Sequence, residues 1–193
     1  MLGLKLQTDP RWVKLVETNI SEILTDHAWC EQKAASNAIS IIVRWPEHTE
    51  MVDALGKIVI EEMEHFNLVH QKIKERGYIL GPERKDDYVH DLLKFTNKGG
   101  SKTQALVDRL LFAAMIEARS CERFKLLSEK VNDADLREFY RELMISEATH
   151  YTTFIGFARK YGEGIDVESR WQEFLNYEAE VIAGYGKRET MHG

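Results

Sequence analysis

Two short stretches of the sequence pair an acid with an imidazole at the same spacing. EEMEHF places Glu62 and His65 three residues apart, and SEATHY places Glu147 and His150 three apart. Residues three apart on a helix point the same way, so each pair can present a carboxylate and an imidazole to one centre. Two further stretches, CEQKAA and MIEARS, carry Glu31 and Glu117 among small and apolar neighbours. Four ionised carboxylates in an apolar interior would repel one another and suffer heavy desolvation. Two divalent cations would balance them, with carboxylates bridging ions about 3.5–4 Å apart and a histidine on each. Ligation by oxygen and imidazole without thiolate favours iron or manganese over a structural zinc. Chemistry with dioxygen at such a centre calls for redox-active iron.

A single Glu-x-x-His is common on solvated helices and says little alone. The spacing of the whole set says more. Glu31 to Glu62 is 31 residues and Glu117 to Glu147 is 30; Glu31 to Glu117 is 86 and His65 to His150 is 85. The chain reads as two helical hairpins, each offering Glu and then Glu-x-x-His. A Glu from each of two helices plus Glu-x-x-His from each of two others is the way a helix bundle holds two iron ions. The halves share little identity outside these positions, so the repeat is architectural.

The elements that must position these residues follow from apolar periodicity and its breaks. Core helices are expected over about 20–44, 48–76, 103–130 and 133–161. A short helix after Asp9-Pro10 breaks near Thr18 or Asn19, and a final helix covers about 167–183. Residues 77–102, punctuated by Gly77, Gly81, Pro82, Gly99 and Gly100, form a long crossover with its own short helix near 86–96. SIIVRW has β propensity, but its helical flanks decide for helix. The tail GYGKRETMHG has no periodicity and is expected to fray. The reading is all-α: a ferritin-like four-helix bundle with a long middle crossover and additional short helices, one domain over residues 1–193.

Composition agrees. Only 3 Pro and 12 Gly interrupt 193 residues, fewer than a sheet-rich chain needs. The 26 Lys and Arg against 32 Asp and Glu give a net charge of −6, which excludes a uniformly basic nucleic-acid binder but not a local basic patch. Cys30 and Cys121 make no disulfide framework and suit packed thiols in a reducing compartment. MLGLKLQTDPRW has no leader pattern and no apolar run is long enough for a membrane span, so a cytoplasmic protein without membrane partners is expected.

Each ligand histidine needs a partner for its other ring nitrogen. His27, Asn37, Asp53, Arg119, Asp135, Glu142 and Tyr151 are available, and the sequence does not choose among them. His27, one turn before Glu31, either lines the site or lies on the surface. Glu61, Glu64 and Glu142 read as solvated, and Glu122 as outside the ligand set. Such a centre suits a ferroxidase or iron store, peroxide reduction, a radical cofactor or an oxygen-activating hydroxylase. No Cys-x-x-Cys pair is present, so a fused rubredoxin-like domain is not expected.

Glu31, Glu62-x-x-His65, Glu117 and Glu147-x-x-His150 stand within LTDHAWCEQKAAS and KIVIEEMEHFNLVHQKIKERG. In these contexts the chain resembles the bacterial tRNA-(2-methylthio-N6-isopentenyladenosine) hydroxylases, over about residues 5–185. The resemblance implies a non-haem di-iron monooxygenase that uses two iron ions and dioxygen to hydroxylate the isopentenyl group of a hypermodified adenosine in tRNA. It implies Glu31, Glu62, His65, Glu117, Glu147 and His150 as metal ligands, acting in catalysis through the metal. It also implies an electron-donating reductase, with the chain a monomer or small homo-oligomer. The alternatives are a ferroxidase, iron-storage or peroxide-reducing protein, or a quinone hydroxylase. For a tRNA substrate, residues 70–110 carry nine Lys and Arg against six Asp and Glu, and Lys94, Lys98 and Lys102 are the candidate RNA contacts. Tyr78, Tyr88 and Phe95 are candidates for stacking on a base, with core packing the alternative for Phe95.

Overall fold

The computed structural model describes residues 2–96, 99–184 and 190–191. Among them lie seven helices: α1 (Trp12–Thr18), α2 (Ile20–Arg44), α3 (Thr49–Glu75), α4 (Asp87–Leu93), α5 (Lys102–Lys130), α6 (Ala134–Tyr161) and α7 (Val167–Ala183). The described residues fall into two compact units, one of 15–85 with 190–191, the other of 2–14 with 86–184.

In the first unit α2 packs along α3. Apolar and small residues line one face of each helix, Leu24, Ala28, Ala35, Ala38 and Ile41 on α2 and Met51, Leu55, Ile58, Val69 and Ile73 on α3, all buried, with Glu31, Glu62 and His65 filling the gaps at the same spacing. The alanines let the two backbones approach. The Trp45 N–H closes α2 on the Ile41 carbonyl at 3.0 Å, and Pro46 cannot continue the helix. Gly77, at φ +74°, ends α3. Its N–H donates to Lys74 O (2.9 Å) and that of Tyr78 to Ile73 O (3.0 Å), the paired bonds of a left-handed glycine cap. The following segment is tied to α2 by the Trp29 indole N–H on Gly81 O and by Lys33 Nζ on Arg84 O, both at 3.0 Å. The expectation of a frayed tail is corrected at Met191, which is buried and donates its N–H to Asp26 Oδ2 at 2.6 Å. An apolar side chain and a buried carboxylate together hold that residue. Positions 185–189 and 192–193 of the tail lie outside the described residues.

In the second unit α5 packs along α6, while α4 and α7 lie against each other and against α5. Ser101 caps α5 by accepting from the Gln104 N–H (3.1 Å), and Asp133 caps α6 by accepting from the Leu136 N–H (3.1 Å). The inner stripe of α5 is Leu106, Leu110, Ala113, Ala114, Glu117, Cys121 and Phe124. A second face, with Asp108, Arg119, Glu122 and Arg123, is also buried. Buried charges call for partners, and Asp108, Arg119 and Glu122 each have an ion-pair partner. Arg119 donates to Glu178 Oε1 (2.9 and 2.6 Å), Glu122 Oε2 (2.9 Å) and Leu6 O (2.9 Å). The Thr8 N–H and hydroxyl donate to Glu122 (3.1 and 2.7 Å). Arg123 lies over the Trp12 ring at 4.6 Å. Arg170 donates twice to Asp108 (2.9 and 2.8 Å) while covering the Phe95 ring at 4.5 Å.

Two hairpins of long helices carrying buried acid–histidine clusters put the chain in the all-α, ferritin-like four-helix-bundle class. Among the described residues no helix is long and apolar enough to cross a membrane.

Candidate metal centre

All six residues read from the spacing are buried. In the first unit Glu31 comes from the inner stripe of α2, and Glu62 and His65 from successive turns of α3. Each offers a ligand atom within 4.8 Å of the others. His65 Nδ1 lies 3.8 Å from Glu31 Oε2 and 3.6 Å from Glu62 Oε2. In the second unit Glu117 comes from α5, and Glu147 and His150 from α6. Their ligand atoms likewise lie within 4.8 Å of one another, with His150 Nδ1 3.9 Å from Glu117 Oε2. In both units it is Nδ1 that faces the carboxylates.

These separations test the fit to a metal. A nitrogen and an oxygen bound to one ion at about 2.0–2.2 Å stand about 3–4 Å apart, wider than an N–H···O hydrogen bond. The observed 3.6–3.9 Å lies within that range. The electrostatics point the same way. Burial pulls the His65 pKa down, but contacts with Glu31 and Glu62 outweigh it and raise it to about 11. Burial pushes Glu31 up, but the charge and hydrogen bond of His27, then His65 and Glu62, hold it well below the carboxylate range. The acids thus draw positive charge to the place a divalent cation would take, and the donor set fits a hard or borderline metal.

The surroundings sort the remaining candidates. His27 is buried, its Nε2 2.5 Å from Glu31 Oε1, so it lines the site. Asp53, Asp135 and Glu142 are exposed, as are Glu61 and Glu64. Asn37 is half-buried on α2. Arg119 and Glu122 belong to the ionic network of α5. Tyr151 packs at 5.9 Å from the Trp171 ring. Cys121 is buried and its thiol donates to Met144 O at 3.4 Å; Cys30 is half-buried. Ser146 was not anticipated: its Oγ is 3.5 Å from His150 Nε2. The signal was present, since Ser146 stands one turn before His150 on the same face.

Of the candidate RNA contacts, Lys94 is exposed with its Nζ 2.5 Å from Asp91, and Lys102 is exposed at the start of α5. Lys98 lies outside the described residues. Tyr88 is corrected as a stacking candidate: it is fully buried, donating to Glu178 Oε1 at 3.1 Å. Phe95 stacks on Tyr177, ring centroids 4.5 Å apart, and Tyr78 is exposed.

Residues 2–193 match the family described as tRNA-(MS[2]IO[6]A)-hydroxylase (MiaE). The chain belongs to this family. The chain is 34% identical over 185 residues to the tRNA 2-(methylsulfanyl)-N(6)-isopentenyladenosine(37) hydroxylase of Pseudomonas putida, covering 96% of this chain and 89% of the relative. The enzyme of the same description from Salmonella typhimurium is 25% identical over 221 residues, covering 90% and 80%. A solved structure, Protein 43 with aldehyde deformylating oxygenase activity from Synechococcus, superposes with a TM-score of 0.91 at 34% identity, covering 98% of this chain and 95% of that one. The MiaE match spans both hairpins and all six acid and histidine positions.

Proposed function

We propose that this chain is an oxygen-dependent di-iron hydroxylase of the isopentenyl group of 2-methylthio-N6-isopentenyladenosine in tRNA. The observation that carries this is the MiaE match over residues 2–193, joined to a buried acid–histidine cluster in each hairpin. Glu31, Glu62 and His65 would hold one iron ion, and Glu117, Glu147 and His150 the other. Bound there, iron would supply the reduction of dioxygen and the insertion of one oxygen atom into a C–H bond, the other atom leaving as water with two electrons and two protons. The chain's own residues set the conditions. Nδ1 of each histidine is turned to the acids, which puts the ring proton on Nε2 when the metal is bound. The buried alanines beside Glu31 and Glu117 leave room for a small ligand, and the apolar residues on the same stripes would limit the access of water.

The electrons would come from a separate reductase, and the protein would work as a monomer or small homo-oligomer. Lys94, Lys98 and Lys102 would meet the tRNA backbone, a basic patch on an acidic chain. The chain acts as one domain over residues 1–193, in a cytoplasmic setting where tRNA is found.

Aldehyde deformylation is a second reading, favoured by the activity of the Synechococcus relative and its TM-score of 0.91. Iron-loaded, reduced protein given both tRNA bearing the prenylated nucleoside and an aldehyde tests the two together. Hydroxylated nucleoside with the aldehyde untouched is expected. Formate release with unchanged tRNA would favour the second reading and overturn the first.

A further inference from the structure

We propose that His27 is a positioning residue that pins one oxygen of Glu31 and leaves the other for the metal. His27 stands one turn before Glu31 on α2, and its side chain is 0% exposed. Its Nε2 is 2.5 Å from Glu31 Oε1, while Glu31 Oε2 faces His65 Nδ1 at 3.8 Å. The two carboxylate oxygens therefore have separate tasks. A carboxylate oxygen accepts, so the imidazole Nε2–H donates to Oε1. A short, charge-assisted bond of this kind fixes both the rotamer and the tilt of the acid. Glu31 then offers a single oxygen and cannot chelate with both.

In the second hairpin the corresponding position on α5 supplies no donor. The residue four before Glu117 is Ala113, whose methyl has no hydrogen to donate. The inference is that the ion held by Glu31 and His65 depends on His27, while the ion held by Glu117 and His150, whose cluster does not include Glu31, does not draw on this residue.

The inference rests on the metal reading of the six residues, and the test separates the two. Co2+ is titrated anaerobically into the metal-free chain, following its visible absorption bands and the ions bound per chain. Three proteins are compared: wild type, H27Q and H27L. Gln carries an amide N–H close to the position of Nε2; Leu keeps the bulk and removes the donor. Wild type and H27Q are expected to bind two Co2+ with similar affinities. H27L is expected to weaken one of the two by about ten-fold to a hundred-fold, the usual loss when such a partner is removed. Circular dichroism confirms that H27L is folded. Two ions bound by H27L with wild-type affinity would overturn the inference, as would equal weakening of both. If His27 were itself a ligand, H27Q would fail as H27L does, which also overturns it. A wild-type chain that binds no Co2+ overturns the metal reading and the inference with it.

Discussion

Replacing Glu178 on α7 by Leu should destabilise the protein strongly, because it takes away the acid that holds Arg119 of α5. Glu178 is 0% exposed and accepts from Arg119 Nε (2.9 Å), Arg119 Nη2 (2.6 Å) and the Tyr88 hydroxyl (3.1 Å). Arg119 is also 0% exposed. The cluster of Arg119, Arg123, Glu122 and Glu178 is neutral as it stands. E178L leaves one buried positive charge without its nearest counter-charge, a loss of about 3–5 kcal/mol. At about 2–4 °C per kcal/mol for a chain of this size, the melting temperature should fall by roughly 6–20 °C. E178Q keeps the shape and the acceptor oxygen but loses the charge. It should cost about 1.5–3 kcal/mol, the worth of a charged hydrogen bond. The double variant R119M/E178L removes both charges and should recover a large part of the loss, because a buried pair contributes little net stability over apolar replacements. Calorimetry on the metal-free chain is the assay, and wild type should melt in one transition if residues 1–193 act as one domain. A shift below about 3 °C for E178L would refute the reasoning, as would a double variant no better than the sum of the singles.

Gly77 sits at φ +74° with open space around its would-be Cβ. G77A should therefore lose about 1–2 kcal/mol from backbone strain alone, and G77N less; equal stability by urea denaturation would contradict this. Burial, then the nearby charges of Glu147 and Glu122, push the Cys121 thiol up to about 12. At pH 8 only about one molecule in ten thousand carries the thiolate, so iodoacetamide should modify native Cys121 far more slowly than Cys30, and mass spectrometry of the digested protein reads the ratio. Neutralising Lys98 and Lys102 together should weaken tRNA binding and flatten its salt dependence by about 1–2 in the slope of log K against log salt. Unchanged binding at low salt would remove that patch from the account.

The buried acid and histidine clusters were legible because metal chemistry would impose a pattern that packing does not. Acids on an apolar stripe at Glu31, Glu62, Glu117 and Glu147 contradict the core unless something balances them. Helix ends were legible to within one to three residues where a stop is chemical, as at Trp45-Pro46, Gly77 and Asp133. Other features were hidden for a common reason: they are polar and buried. The second face of α5 reads as solvated by hydropathy, because Asp108, Arg119, Glu122 and Arg123 show their burial only through distant partners such as Thr8, Arg170 and Glu178. Tyr88 was offered to a base because nothing local points to Glu178, ninety residues away. Met191 lies in a stretch without periodicity, and its partner Asp26 is 165 residues distant. His27 was an even choice between surface and site, and only its 2.5 Å contact with Glu31 settles it.

The most direct test of the central claim is a single turnover with heavy-isotope dioxygen. Iron-loaded, chemically reduced protein is mixed with tRNA bearing 2-methylthio-N6-isopentenyladenosine, and the digested nucleosides are weighed by mass spectrometry alongside the iron bound per chain. The account expects two irons per chain and a nucleoside heavier by one oxygen atom that carries the label. Two bound irons with an unaltered nucleoside, or an added oxygen without the label, would contradict it.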